Sequence, residues 1–139
     1  MKKGLTFVIF GGTGDLAKRK LAPAFSRLIH NKLLTKNSTL IGISRSNMTN
    51  EGYRKMLMNS ISNEKEKKHF EQVKVLYLSL DFSKSENIKK LVEALPTCEV
   101  GGRNRIYYLA TSFKLFPEIM QGLKKFNLIS KNDMSNRIV

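Results

Sequence analysis

The chain has 139 residues, 41% of them apolar, and a formal net charge of +14. This length suits one domain with a single core, and the absence of a long hydrophobic run or a signal-like amino terminus predicts a cytoplasmic protein without a membrane span. The single cysteine, Cys98, excludes an internal disulfide. Because only His30 and His69 are available as further soft ligands, the sequence indicates no metal site.

A positive charge of this size attracts polyanions, so nucleic-acid binding is one interpretation. The lysines are spread over predicted helix faces and loops, however, and neither a zinc-finger spacing nor an RNA-recognition signature accompanies them. We therefore interpret the excess charge as a solvated surface whose positive field favours an anionic coenzyme, and nucleic acid is the less favoured partner.

A buried strand is predicted first, over residues 5–10, because this run is apolar and rich in β-branched and aromatic residues. A glycine turn follows, and then a helix whose basic residues are left for solvent. The apolar stripe of that helix is predicted from residues at roughly helical spacing, namely Leu16, Ala17, Leu21, Phe25, Leu28 and Ile29.

The glycine turn has the spacing Gly11-x-x-Gly14-x-x-Ala17, with Gly12 as an additional glycine. Glycines between a strand and a helix let backbone N–H groups approach a pyrophosphate, which then lies at the positive end of the helix. Asp15, near the first helical turn, suits the same dipole. The pattern predicts a dinucleotide site, and the alternative is an ordinary strand-to-helix turn that binds nothing.

Strands and helices continue to alternate along the chain. A helix that begins with Ser83 or Ser85 as its cap is predicted to end at Pro96, before a turn at Gly101-Gly102. This order predicts an α/β fold, a Rossmann-like three-layer sandwich with a mostly parallel sheet formed by one domain over 1–139. The other predicted strands cover 38–44, 73–80, 105–110 and 137–139, and the other predicted helices cover 49–61, 63–70 and 116–126.

The end of the second predicted strand indicates which dinucleotide is bound. An acidic residue at this place in the fold binds the ribose of NAD, whereas an arginine accommodates the additional phosphate of NADP. Here the strand runs into Ser44-Arg45-Ser46, and no acidic residue occurs before Glu51. Arg45 offers paired charge-assisted hydrogen bonds, to which the hydroxyls of Ser44, Ser46 and Thr13 can add. The sequence therefore predicts NADP, with a surface arginine as the alternative.

The ends of the third and fourth strands are expected to complete the site. Asp81 and Phe82 follow the third strand and are predicted to border the adenine, although Asp81 equally suits a turn cap. Ala110 and Thr111 end the fourth strand and are predicted to lie near the pyrophosphate or the nicotinamide half.

The eleven residues from Gly11 to Leu21 closely resemble the coenzyme motif of glucose-6-phosphate dehydrogenase, in which Gly-x-x-Gly-Asp-Leu-Ala precedes a basic stretch. The segments 41–45, 80–82 and 106–110 resemble that family's next three strand ends in the same order. The resemblance implies that Arg45 contacts the 2′-phosphate. Together with the patterns above, it predicts a coenzyme site that comprises Gly11, Gly12, Thr13, Gly14, Asp15, Leu16, Ala17, Lys18, Ser44, Arg45, Ser46, Asp81, Phe82, Ala110 and Thr111.

What the resemblance implies is an NADP-dependent oxidation of glucose 6-phosphate to 6-phosphogluconolactone, the first step of the pentose phosphate pathway, by a homo-oligomeric enzyme. The family's catalytic histidine and substrate-phosphate lysines belong to a motif beyond a strand resembling 137–139. We therefore expect a shortened chain without the substrate domain and without catalytic residues. It should bind NADP weakly and not oxidise glucose 6-phosphate alone. One departure is Thr111-Ser112-Phe113-Lys114, where the family usually has a proline.

Two other classes of function are alternatives. A different nucleotide-binding reductase would carry a Tyr-x-x-x-Lys catalytic pair, which this sequence lacks. A noncatalytic nucleotide- or nucleic-acid-binding regulatory domain would use the positive charge. That function predicts salt-sensitive binding to unrelated polyanions without a preference for NADP over NAD.

Overall fold

The computed structural model describes residues 4–35, 37–99, 104–130 and 136–139. The strands are β1 (Leu5–Phe10), β2 (Thr39–Ser44), β3 (Lys74–Ser79), β4 (Asn104–Leu109) and β5 (Asn136–Ile138). A π-helix (Ala17–Leu21) runs directly into α1 (Ala22–His30), and the other α-helices are α2 (Asn50–Met58), α3 (Glu64–Phe70), α4 (Lys89–Cys98) and α5 (Phe116–Lys125). Two short 3₁₀ segments, Ser85–Ile88 and Phe113–Leu115, precede α4 and α5.

The strands form one parallel sheet in the order β3-β2-β1-β4-β5. Alternate side chains of β1 enter two separate cores, as expected for a strand that is buried on both faces. Val8 and Phe10 pack with α4 and α5, whereas Ile9 packs with α1, α2 and α3. Helices therefore cover both faces of the sheet, and the predicted three-layer, Rossmann-like α/β fold is confirmed.

Two helices begin where the sequence predicts. Thr49 caps α2, because its Oγ1 accepts a hydrogen bond of 3.0 Å from the Gly52 amide. Asn63 caps α3 in the same way, since its Oδ1 accepts from the amides of Lys65 and Glu66. These side chains satisfy backbone donors that have no partner inside the helix.

The predicted apolar stripe of the first helix is wrong at two positions, because Leu16 is 41% exposed and Leu28 is 39% exposed. The cause is the π-helix, whose wider turn inserts an additional residue and shifts the buried face. Ala17 and Ala22, five residues apart, are both buried, and the Ala22 amide donates to the Ala17 carbonyl.

The limits predicted for α4 are also wrong. Neither Ser83 nor Ser85 caps it, because α4 begins after Ile88 without a side-chain cap, and the Ser83 amide and hydroxyl both bind the Asp81 carboxylate. Pro96 lies inside the last turns of α4 and does not end the helix, which continues to Cys98. The thiol of Cys98 is buried there. The predicted Gly101-Gly102 turn lies outside the described residues.

Glu99 joins the beginnings of two neighbouring strands of the sheet. Its carboxylate accepts a hydrogen bond of 2.6 Å from the Thr6 hydroxyl and bonds of 2.9 and 2.6 Å from Nε and Nη2 of Arg105. These bonds raise the pKa of the Arg105 guanidinium, against the opposing effect of its partial burial. Glu99 is 8% exposed and Arg105 25% exposed, so solvent screens the pair only in part.

We expect Glu99→Ala to lower the free energy of unfolding by about 2 kcal/mol, less than the 3–5 kcal/mol for a fully buried pair that loses one partner. The physical reason is that Arg105 and the buried Thr6 would each lose a hydrogen-bond acceptor. Urea denaturation measures the change, and Glu93→Ala on α4 serves as a control for an acidic residue without these bonds. Equal unfolding midpoints for the two variants would contradict the prediction.

No helix in the described part of the chain is both long and apolar enough to cross a membrane.

Candidate functional site

A cleft of about 390 Å³ lies at the edge of the sheet where four strands end. It opens at the end of β1, which lies between β2 and β4 in the sheet. The chain leaves β1 to form β2 on one side, and it returns from β3 to form β4 on the other side. Ligands of open α/β sheets bind at such a switch point, outside the carboxyl ends of the strands. The segments that line it follow β1 (Gly11, Thr13, Gly14), β2 (Ser44, Arg45, Ser46), β3 (Asp81, Phe82, Ser83) and β4 (Ala110, Thr111, Leu115).

The glycine turn crosses between the ends of β2 and β4. The amides of Gly11 and Gly12 donate to the Ile43 carbonyl at 2.9 and 3.0 Å, so they are directed towards β2 and not towards the cleft. Gly11 has a φ of 91°, and a Cβ atom there would lie 2.3 Å from the Ala110 carbonyl oxygen. A glycine is required at this position by both the backbone conformation and the lack of space.

The helix that follows the turn begins with unpaired backbone donors. The amides of Thr13, Asp15 and Leu16 donate to no acceptor among the described residues. Such donors carry the positive end of the helix dipole and are suited to an anion. These N–H groups are available to a pyrophosphate, whereas those of Gly11 and Gly12 shape the turn.

Arg45 is exposed on the loop after β2, and the loop itself is held by hydrogen bonds. The Tyr77 hydroxyl donates to the Ser46 carbonyl at 2.5 Å and lies 2.5 Å from the Ser44 hydroxyl. The Ser79 hydroxyl donates to the Arg45 carbonyl at 3.3 Å. The backbone on both sides of Arg45 is thus anchored, while its guanidinium faces solvent beside the cleft.

Asp81 and Phe82 border the cleft from the β3 side. The Asp81 carboxylate accepts from the Ser83 hydroxyl at 2.6 Å and from the Ser83 amide at 3.0 Å. These two bonds lower the pKa of Asp81, and the charges of Arg45 and Lys84 act in the same direction. Phe82 is buried, with its ring edge-to-face with that of Phe10 at 5.6 Å. Asp81 therefore does stabilise a local turn, as the alternative interpretation predicted.

The structure brings most of the predicted residues to one cleft, but not all of them. Gly12 and Ala17 are buried beneath the turn, Leu16 and Asp15 are exposed outside the lining, and Lys18 lies one helical turn further along. Ser83 and Leu115 line the cleft without having been predicted. Leu115 belongs to a 3₁₀ segment that has no clear periodicity, and Ser83 was assigned to a helix cap.

The two histidines lie away from this cleft. His30 ends α1 and His69 lies near the end of α3, and both helices lead back to the amino ends of strands. Their rings contact each other, with 3.2 Å between the two Nδ1 atoms, and both side chains are half-buried. Among the described residues, no group of three or more side chains that could hold a metal ion occurs.

Known proteins match this chain over nearly its whole length. The family model of the glucose-6-phosphate dehydrogenase NAD binding domain matches residues 8–139. Glucose-6-phosphate 1-dehydrogenase of Rhizobium meliloti is 32% identical over 137 residues, which is 91% of this chain and 27% of the relative. The enzyme of the same name from Aspergillus niger is 32% identical over 146 residues, which is 100% of this chain and 28% of the relative.

A solved structure shows the same architecture. Glucose-6-phosphate dehydrogenase in complex with its substrate glucose-6-phosphate superposes with a TM-score of 0.77 at 25% identity, covering 99% of this chain and 29% of that one. The chain thus spans less than a third of the length of these relatives. Since the matched region includes the glycine turn, the Arg45 loop and all four strand ends of the cleft, the chain belongs to the glucose-6-phosphate dehydrogenase family, in the region of its NAD binding domain.

Proposed function

We propose that this chain is the NADP-binding domain of a glucose-6-phosphate dehydrogenase. The observation that carries the proposal is that one cleft is lined both by the glycine turn, with the unpaired Thr13 amide before the helix, and by an exposed arginine on an anchored loop. NADP carries negative charge in two places, a pyrophosphate and a 2′-phosphate, and these two features offer a partner to each.

The proposed binding follows the order of the strands. The amides of Thr13, Asp15 and Leu16 would hold the pyrophosphate, and Arg45 would pair with the 2′-phosphate. Phe82 gives an apolar surface on the Arg45 side, where the adenine would lie. Ala110 and Thr111, at the end of β4, would border the nicotinamide half.

The coenzyme supplies one chemical property when bound, since its nicotinamide ring accepts a hydride. Oxidation of a sugar hydroxyl also needs a general base and groups that hold the substrate phosphate. Neither histidine lies at the cleft, and the one carboxylate among the residues that line it, that of Asp81, is held by the amide and hydroxyl of Ser83. We therefore propose that glucose 6-phosphate is bound and deprotonated by residues outside this chain, and that this chain alone does not oxidise it.

Calorimetric titration of the 139-residue chain with NADP and with NAD tests the proposal. We expect NADP to bind about tenfold or more tightly than NAD, because charge-assisted hydrogen bonds contribute about 1.5–3 kcal/mol each. The preference should persist when the salt concentration is raised from low to moderate values. Equal affinities that both disappear with added salt would instead support general polyanion binding by a strongly charged surface.

A further inference from the structure

Two tyrosines lie between α2 and the sheet, directly behind the proposed phosphate sites. Tyr53 of α2 is fully buried, and its hydroxyl donates to the Gly12 carbonyl at 2.9 Å. Its ring packs against Gly42 of β2, where an added Cβ atom would lie only 2.1 Å from a ring carbon. Burial raises the pKa of the Tyr53 hydroxyl, so that it remains a protonated donor at neutral pH. Tyr53 therefore fixes the back of the glycine turn.

Tyr77 of β3 stands next to Tyr53, with 5.1 Å between the ring centroids. Because the Ser46 carbonyl can only accept, the Tyr77 hydroxyl donates to it, and the Ser44 hydroxyl then donates to the Tyr77 oxygen. The Tyr77 amide donates to Asn50 Oδ1 at 2.8 Å, which ties the beginning of α2 to the outer edge of β3. One phenol thus joins both residues that flank Arg45.

The tyrosines act on different parts of the cleft. Tyr53 holds the turn that would face the pyrophosphate, which NADP and NAD share. Tyr77 holds the loop that carries Arg45, which would face a phosphate found only in NADP. Neither hydroxyl belongs to the residues that line the cleft, so both act through the backbone that they hold.

We propose that Tyr77 is a positioning residue for coenzyme selectivity, while Tyr53 is a positioning residue for dinucleotide binding in general. The inference rests on the proposed function, because it assumes that the Arg45 loop receives the 2′-phosphate. Its physical basis is that an ordered loop binds without first losing conformational freedom. Without its phenolic bonds, the loop would have to be ordered by the ligand.

Tyr77→Phe and Tyr53→Phe separate the two roles. We expect Tyr77→Phe to weaken NADP binding about fivefold or more, because both phenolic hydrogen bonds are lost, and to leave NAD binding unchanged. Tyr53→Phe should weaken both by the same factor. Tyr108→Phe, on β4 and outside this cluster, is the matched control and should change neither. Calorimetric titration with both dinucleotides measures these affinities.

A second readout needs no coenzyme. Trypsin cleaves after Arg45, so the initial cleavage rate there, relative to that after the exposed Lys114, reports how firmly the loop is held. We expect Tyr77→Phe to raise this ratio of cleavage rates about fivefold. In Tyr53→Phe and Tyr108→Phe, the ratio should stay close to that of the unsubstituted chain.

If the unsubstituted chain shows no preference for NADP, the proposed function fails and selectivity by Tyr77 fails with it. If that preference exists but Tyr77→Phe changes neither it nor the cleavage ratio, only the present inference is overturned.

Discussion

Replacing Arg45 with alanine is expected to weaken NADP binding about 10- to 100-fold while leaving NAD binding nearly unchanged, since charge-assisted hydrogen bonds contribute about 1.5–3 kcal/mol. The guanidinium is exposed at the cleft, on a loop whose backbone is anchored through Ser44, Ser46 and Ser79. Removing the side chain therefore takes away the cation without disturbing the loop. Calorimetric titration of both dinucleotides at moderate salt measures the effect.

The control for this variant is Lys68→Ala, which removes one exposed positive charge from α3. This helix leads into the beginning of β3, so its end lies near the amino ends of the strands, whereas the cleft lies at their carboxyl ends. At moderate salt, charges separated by more than about 8–10 Å interact weakly, so Lys68→Ala should leave NADP affinity nearly unchanged. A similar loss in both variants would mean that the general positive field binds NADP, and the role of Arg45 would be refuted.

The second large effect is expected at the glycine turn, where Gly11→Ala should lower the free energy of unfolding by about 3–5 kcal/mol. A residue with a Cβ atom at a φ of 91° is strained, and that atom would also lie 2.3 Å from the Ala110 carbonyl oxygen. The neighbouring atoms are backbone and cannot move aside cheaply. Urea denaturation followed by circular dichroism measures the loss, and NADP binding should be lost with it because the turn and the end of β4 would separate.

Gly14→Ala is the matched control in the same turn. Gly14 has no positive φ, and the nearest atom to an added Cβ there is the Gly11 carbonyl oxygen at 3.4 Å, an ordinary contact. We therefore expect its unfolding midpoint to remain close to that of the unsubstituted chain. Equal destabilisation of the two variants would show that Gly11 is not required for its backbone conformation.

β1, β2 and β3 could be predicted well because each contains a short apolar run with clear limits. β1 has the predicted bounds, and β2 and β4 differ by about one residue at their ends, which is within the usual uncertainty of such limits. The strand ends then determine the cleft, because parallel strands place their carboxyl ends at one edge. That is why residues as distant in sequence as Gly11 and Asp81 could be assigned to one site before their positions were known.

Other features depend on contacts between distant segments. The π-helix has no local signal, so the sequence could not indicate that the buried face shifts to include Ala22 and leaves Leu28 exposed. The direction of the Tyr53 hydroxyl depends on Gly12 and Gly42, which belong to distant segments of the chain. The roles of the Gly11 and Gly12 amides likewise depend on where β2 ends, so the turn could be found from sequence while its free donors could not.

The central position of β1 also influences the order in which the molecule is assembled. Thr6 of β1 pairs with Thr39 of β2, which follows soon in the chain, whereas Leu5 pairs with Asn104 of β4. Closing the longer loop costs more entropy, and synthesis from the amino terminus delivers β4 after β1, β2 and β3 are complete. The Arg45 side of the cleft can therefore form on a nascent chain before Ala110 and Thr111 have been made. The cleft can close only once β4 has been made and has paired with β1.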